Sequence, residues 1–393
     1  MRYYLLFFLV ISLGSITAQP SNSFAEYSTF LEKEVAEENI SGAVSLIVKQ
    51  GEVLHQGAFG HADKAAEKPM AQDQVFHLMS MTKPIVSLAF MMLYEEGHFK
   101  LDDPVSKYLD GFDNLMVAKD PSAGKAGGAA PTKMAITIRQ ALTHTAGFGH
   151  GLSGSQLDNE LAMALYFAPQ ENIASRVKTL TSMPMPLQPG TKWFYSASPD
   201  IIALLIEKFS GQTAADFLQE RIFDPLDMQD TGYNLSSEKA ARLAKLYTVA
   251  DGKLVNDPRQ MGATGNKVYG GTHGLLSTAG DYGKFCQFLL DRGTTPSGKQ
   301  LIKPKTLELM TQNHLGDIPY AKGKGFGLGF GIDLKVPEDG LGAEGRYYWS
   351  GAYSTFFFVD PANDLYAILM TQLSPFTGSY GDELRKYVYG GIE

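Results

Sequence analysis

Both ends of this chain carry the same construction, and that symmetry restricts the fold more than any other feature. Near the start, apolar residues at helical spacing (Phe24, Tyr27, Phe30, Leu31, Val35) precede two strand-like runs, Ala43 to Lys49 and Val53 to Phe59, joined at Gln50-Gly51. Near the end, Ser354 to Val359 and Leu365 to Thr371 flank a turn at Asp360-Pro361-Ala362-Asn363, and Asp382 to Tyr389 reads as a closing helix. A lone hairpin cannot bury an apolar face, so this pattern predicts an α/β fold in which both ends build one antiparallel sheet flanked by helices. The middle, roughly residues 95–265, is then an inserted, mostly helical region. Its helices are expected at Pro199 to Ser210 and Ala214 to Ile222, with an exposed Gly-, Ala- and Pro-rich excursion at Asp120 to Lys133. No repeat at a fixed period and no linker-like tract divides the chain, so residues 19–393 read as one continuous domain.

Residues 1–18 stand apart from that fold. Arg2, an apolar run from Tyr3 to Leu13 and a small, polar stretch from Gly14 to Ala18 have the build of a secretory signal peptide, removed after Ala18. The run falls well short of the ~20 apolar residues a spanning helix needs, although a retained membrane anchor is the alternative. The expected location is periplasmic or secreted, with no stable membrane span once the signal is gone. Cys286, the single cysteine, excludes an internal disulfide and a paired-cysteine zinc site, so the fold rests on its core. Apolar residues make up 44% and charged ones 19%, which excludes a disordered tail and a coiled coil; a formal charge of −8 argues against nucleic acid as a partner. The oligomeric state is left open.

Chemistry begins at Phe76-His77-Leu78-Met79-Ser80-Met81-Thr82-Lys83-Pro84. Serine followed three residues later by lysine occurs four times (Ser80/Lys83, Ser122/Lys125, Ser175/Lys178, Ser236/Lys239), so the spacing alone discriminates little. Only the first pair opens a long apolar helix, Ile85 to Glu96, with Pro84 in the first turn where its missing N–H costs nothing. A serine there feels the positive end of the helix dipole, and a lysine one turn on shares its face. Buried, that lysine loses basicity until it can take the serine proton; solvated, the same pair is a capping serine with a free lysine.

Further elements bear on that choice. Ile136 to Gly147 ends in a Thr-His-Thr-Ala-Gly turn, Pro189 to Ala197 brings Tyr195 to the start of a helix, Gly270 to Asp281 is a glycine-rich loop before another helix, and Trp349-Ser350-Gly351 precedes a strand. In this order and over residues 25–390, the set resembles the serine β-lactamase and penicillin-binding-protein superfamily, in its class C-like and family VIII carboxylesterase branch. The resemblance implies a β-lactamase/transpeptidase-like fold and a covalent acyl-enzyme. It makes Ser80 the nucleophile, Lys83 its proton acceptor and Tyr195 the proton shuttle, with Lys83 as the cation that would favour the Tyr195 phenolate. Trp349, Ser350 and Gly351 take the place of the family's Lys-Thr-Gly triplet, and the Ala352 amide pairs with that of Ser80 as the oxyanion hole.

Two departures point away from lactams. Tyr195-Ser196-Ala197 lacks the asparagine of the family's Tyr-x-Asn, and Trp349 replaces the lysine that holds a lactam carboxylate, a charge-assisted contact of roughly 1.5 to 3 kcal/mol. The reading is a carboxylesterase on short-chain esters, with small-molecule esters or amides as substrates and no cofactor or metal. A β-lactamase or D-amino-acid-specific peptidase is the alternative, and a slowly deacylating cell-wall or antibiotic sensor a further one. His77, His144, His150 and His273 match no zinc spacing and read as satisfied loop histidines, His273 at the pocket edge. Phe326 to Gly331, alternating glycine with apolar residues, reads as one strand pressed against a helix or another backbone; Tyr347-Tyr348 and Phe356 to Phe358 read as sheet edge and core, and Cys286 as a core residue.

Overall fold

The computed structural model describes residues 22–392. The apolar segment read as a signal peptide, residues 1–18, lies outside the described residues. Strands β1 (Gly42–Lys49), β2 (Glu52–Asp63), β3 (Lys68–Pro69), β4 (Lys324–Phe326), β5 (Gly331–Asp333), β6 (Tyr347–Gly351), β7 (Thr355–Asp360) and β8 (Leu365–Thr371) form one antiparallel sheet in the order β4-β5-β6-β7-β8-β1-β2-β3. The two ends of the chain meet at its centre, where β1 pairs with β8 from Ala43↔Thr371 to Lys49↔Leu365.

The longer helices are α1 (Asn22–Ala36), α2 (Thr82–Glu95), α3 (Pro199–Ser210), α4 (Ala279–Leu290) and α5 (Ser379–Ile392). Strand alternation sorts the sheet residues into two cores. Ala43 and Ile47 of β1, Phe356 and Phe358 of β7, and Leu365, Ala367 and Leu369 of β8 pack with Tyr27, Leu31, Leu384 and Val388 of the terminal helices α1 and α5. Val44, Leu46, Phe357, Ile368 and Met370 face the other way, onto Tyr282, Phe285 and Cys286 of α4 and the apolar side chains of α2. Burial on both faces is why these strands read as nearly unbroken apolar runs. From Thr82 to Leu93 every residue of α2 is buried, so it is a core helix with no solvent face.

Between β3 and β4 the chain leaves the sheet and returns. Helices such as Ile138–Leu142, Gln156–Ala162, Ile173–Ser182 and α3 occupy this part, together with a hairpin of Tyr247–Ala250 and Lys253–Asn256 that Leu373–Ser374 joins in parallel. Three local expectations differ. The excursion at Asp120 to Lys133 contains a short turn, Pro121–Gly127, and one side of a ladder between Met116–Ala118 and Ala129–Pro131. Helix Ala214–Leu218 ends early and widens into a π turn, Gln219–Phe223. Phe326 to Gly331 is a tight hairpin joining β4 to β5 and not a single strand. Gly329 has φ +95°, and a Cβ there would collide with Ser87 Oγ of α2, while one on Gly327 would collide with the Met310 carbonyl. The expected close approach is real, but it is made by a turn.

Candidate active site

Ser80 sits in a single 3-10 turn, Met79–Met81, that runs directly into α2. Met79 carries φ +48°, a left-handed conformation unusual for a side-chain-bearing residue, and the surroundings hold it there. The Leu78 N–H donates to the Leu275 carbonyl at 3.0 Å, the Tyr282 hydroxyl donates to the Met81 carbonyl at 3.1 Å, and the Leu275 N–H donates to Thr82 Oγ1 at 3.2 Å. From the sheet side β6 closes in so tightly that a Cβ on Gly351 would collide with the Leu78 carbonyl oxygen and with Thr355 Oγ1. This is the close backbone approach that the third residue of the triplet permits.

One turn along α2, the Lys83 ammonium lies 3.1 Å from Ser80 Oγ and donates to the Thr272 carbonyl at 2.8 Å. Lys83 is 1% exposed, and burial brings its pKa down from the ordinary lysine value to about 7, against the opposing pull of the Asp200 carboxylate. The Tyr195 hydroxyl donates to Ser80 Oγ at 2.7 Å. A hydroxyl has one hydrogen to give, so when Lys83 is neutral its lone pair takes the serine hydrogen while Tyr195 donates to the oxygen. The capping-serine alternative is thereby set aside for this pair, whereas Ser236 does cap a short helix, accepting from the Lys239 N–H. Cys286 lies fully buried on α4 among the α2 side of the core.

One expectation about Tyr195 needs correcting. The Lys83 ammonium lies over the tyrosine ring, 4.6 Å from its centroid, and does not hold the phenol as a phenolate. Burial pushes the Tyr195 phenol up, and the hydrogen bond to Ser80 and the nearby Trp349 side chain offset this only in part. Tyr195 is therefore a neutral phenol, suited to passing a proton on. Its ring is packed by Trp349 at 5.6 Å and by His144 and His150 at 4.8 and 5.2 Å between centroids.

A cavity of about 790 Å³ opens over these groups. Ser80, Tyr195, Trp349, Ser350, Gly351 and Ala352 all line it, so the structure gathers six of the seven expected site residues on one surface; Lys83 lies just behind it. The indole of Trp349 also packs against Phe326, with centroids 5.3 Å apart. Ser350 pairs with Phe356, on the face toward the terminal helices, and borders a second cavity as well.

Sequence reasoning missed the supports behind these groups. The Asp200 carboxylate accepts from the Thr272 N–H at 2.8 Å, fixing the loop whose carbonyl holds Lys83. Gly270, flagged as part of a glycine-rich loop, leaves room for Asp200, since a Cβ there would lie 2.7 Å from Asp200 Oδ1. The histidines divide. His144 Nδ1 accepts from the Ser196 N–H at 3.2 Å, and His150 Nδ1 is bonded to the Tyr166 hydroxyl at 2.6 Å. His77 and His273 each keep an unpartnered, buried Nδ1, so the reading of these two as satisfied loop residues fails; His77 is in fact part of a short strand pairing with Ser277 and Leu276. Among the described residues no group of His, Cys, Asp and Glu is arranged to share a metal ion, and no helix is long and apolar enough to cross a membrane.

Fold and site together define a serine hydrolase built on a buried lysine. The chain belongs to the β-lactamase family: the family model described as Beta-lactamase matches residues 28–388. Protein Rv1367c of Mycobacterium tuberculosis is 30% identical over 353 residues, covering 86% of each chain. Esterase EstB of Burkholderia gladioli is 29% identical over 367 residues, covering 88% of this chain and 90% of that one. Among solved structures, EstCE1 superposes with a TM-score of 0.78 at 24% identity, covering 94% of this chain and 99% of its own, a likeness of fold.

Proposed function

We propose that the protein is a carboxylesterase working through an acyl-enzyme on Ser80. Ser80 Oγ attacks the ester carbonyl as neutral Lys83 takes its proton. The oxyanion is held by the Ser80 and Ala352 amides, donors worth about 3 to 4 kcal/mol each where such groups have been removed. Tyr195 gives its proton to the departing alkoxide and is reprotonated by Lys83. Water then attacks the acyl group by the reverse route and releases the acid.

The observation that carries the reading is Trp349. Where the family's lactam-binding members have a cation, this chain sets an indole against Tyr195 and Phe326, so the triplet itself offers no charge to a lactam carboxylate. EstB, similar over nearly its whole length, is an esterase by name. A cavity of about 790 Å³ is of the size that takes drug-sized ligands, so it has room for more than a short acyl group. Hydrolysis of p-nitrophenyl acetate and of a chromogenic cephalosporin tests this: the ester is expected to be the faster by kcat/KM, and the reverse order would return the β-lactamase reading.

The same volume favours a second outcome, in which an alcohol replaces water in the deacylation step. EstCE1 is described as a hydrolase with promiscuous acyltransferase activity. Ester product formed on adding a primary alcohol would reveal it. We further propose export, because residues 1–18 have the build of a signal peptide; N-terminal sequencing of the protein recovered from outside the cytoplasm should begin at Gln19, and a retained Met1 would refute cleavage.

A further inference from the structure

Beside the active-site cavity lies a smaller annex of about 130 Å³, lined by His77, Arg176, Met261, Lys267 and His273 among others; Arg176, Met261 and His273 border both spaces. Its polar groups are unusually incomplete. Arg176, on the helix Ile173–Ser182, has a side chain only 11% exposed, yet among the described residues none of its five N–H donors makes a hydrogen bond. Its nearest carboxylate oxygen, Asp200 Oδ2, is 3.7 Å from Nη1 and is itself left without a hydrogen-bond donor. The guanidinium is held by this loose ion pair and by the Tyr166 ring, whose centroid lies 5.6 Å from Cζ, so its charge is partnered while its hydrogen-bond donors stay free for an acceptor.

The histidines complete the pattern. His77 is 1% exposed, and its Nε2 meets the Met261 carbonyl at 2.9 Å; because a carbonyl only accepts, that nitrogen holds the hydrogen and Nδ1 presents a bare lone pair. His273 Nδ1 has no partner either. Burial holds both rings neutral, His77 down to about 4 and His273 well below its ordinary value, so the annex charge comes from Arg176 and from Lys267 at its rim, with only Asp200 against them. A cationic ligand is excluded by those two side chains. Water occupies roughly 30 Å³ per molecule in the liquid, so the space suits a carboxylate with one or two accompanying waters.

We propose that the annex is a carboxylate subsite and that the enzyme's preferred esters carry a free acid, seated on Arg176 and Lys267 and accompanied by a water that donates to His77 Nδ1. The proposal rests on the ester reading above. It also gives the loss of the triplet lysine a positive meaning: the cation missing at Trp349 is supplied by Arg176 elsewhere in the cavity lining, so a carboxylate is accepted only in a different place relative to the scissile bond.

The test compares charged substrates with capped counterparts. One series is mono-p-nitrophenyl esters of dicarboxylic acids with two to six methylenes, against their methyl-capped forms; the other is acetates of 4-hydroxyphenylalkanoic acids, again free and methyl-capped, so that the acid is carried once on the acyl side and once on the alcohol side. At one chain length or more the free acid should exceed its capped form by at least tenfold in kcat/KM. In Arg176→Gln that ratio should fall to about one, in Arg176→Lys it should be partly restored, and in Lys267→Gln, an exposed position, it should fall severalfold. Each ratio is internal to one protein, so a general loss of activity does not imitate the effect. Capped substrates favoured at every length on both sides, or a ratio untouched by Arg176→Gln, would overturn the proposal. Rates of Ser80 labelling by a fluorophosphonate bearing a carboxylate and by its methyl ester repeat the comparison without turnover. A carboxylate preference there with no hydrolysis of any ester would retain the subsite and refute the esterase.

Discussion

The two walls of the active-site cavity are finished to different degrees. On the reactive wall, the hydroxyls of Ser80 and Tyr195 and the Lys83 ammonium are joined to one another or to the Thr272 carbonyl, and the turn beneath them is pinned from α4 and from β6. On the other wall, Arg176 and His273 present unpaired atoms, as His77 does in the annex, and the mouth exposes Leu152 and Phe167 to 71% and 67%. Chemistry needs groups held in advance at fixed distances, whereas recognition leaves its groups to be completed by the substrate. Changes to the first wall should therefore act on every substrate alike, and changes to the second on the ranking of substrates.

The largest effect belongs to the nucleophile. Ser80→Ala should abolish fluorophosphonate labelling and lower ester turnover by roughly 10⁴ or more, as loss of a covalent nucleophile does in comparable hydrolases. Ser122→Ala is the control: that hydroxyl only donates to Asp120 Oδ1 at 2.6 Å in an exposed turn, and both readouts should be unchanged. Label persisting on the Ser80 variant would collapse the reactive wall as drawn. Next comes Lys83. Because it acts as a base only when neutral, and burial places its pKa at about 7, kcat/KM for a neutral ester should rise with pH through about 7 and level off above. Lys83→Met should cost about 10³ and remove that limb; a limb that survives belongs to another group.

Tyr195→Phe keeps the aromatic packing and removes the proton shuttle, so kcat should fall about 10² to 10³ while the limb near pH 7 stays. Loss of the limb instead would mean that Tyr195, against its upward shift, is the titrating base. A smaller effect is expected at the join between the walls. Gly351→Ala forces β6 away from the Leu78 carbonyl and displaces the Ala352 amide, which should lower kcat about tenfold with little change in KM.

The same contrast explains how much of the molecule could be read from its sequence. The terminal sheet was legible because strands covered on both faces leave apolar runs such as Leu365 to Met370, whose partners are dictated by pairing alone. Ser80, Lys83 and Tyr195 were legible because a helix fixes what lies one turn apart, and the motif order supplied the third. Arg176 was not. On the helix Ile173–Ser182 it is one polar residue among several, and what sets it apart is a lack of hydrogen-bond partners that only the packed structure reveals. Thr272 acts through its carbonyl, which leaves no trace in residue type. The Phe326 to Gly331 segment misled because alternating glycines suit a flattened strand and a tight turn equally, and the choice is made by Ser87 and Met310 pressing on Gly329 and Gly327.

The smallest prediction tests the mouth. Leu152, Phe167 and Phe376 line the cavity and remain largely exposed, an arrangement that costs the folded protein little and gains only when an apolar group covers them. Full burial of a phenylalanine is worth about 1.5 to 3 kcal/mol, and a ring covered on one side by substrate about half of that, or roughly a factor of five in kcat/KM. Phe167→Ser should therefore lower the ratio of octyl acetate to ethyl acetate hydrolysis about fivefold, and Leu152→Ser somewhat less, since its side chain is smaller. The same variants should leave the ratio of free-acid to methyl-capped esters unchanged, because that ratio is read at Arg176, deeper in the cavity. If Phe167→Ser moves both ratios equally, mouth and annex are one surface, and the recognition wall reads overall substrate size instead of two separate chemical features.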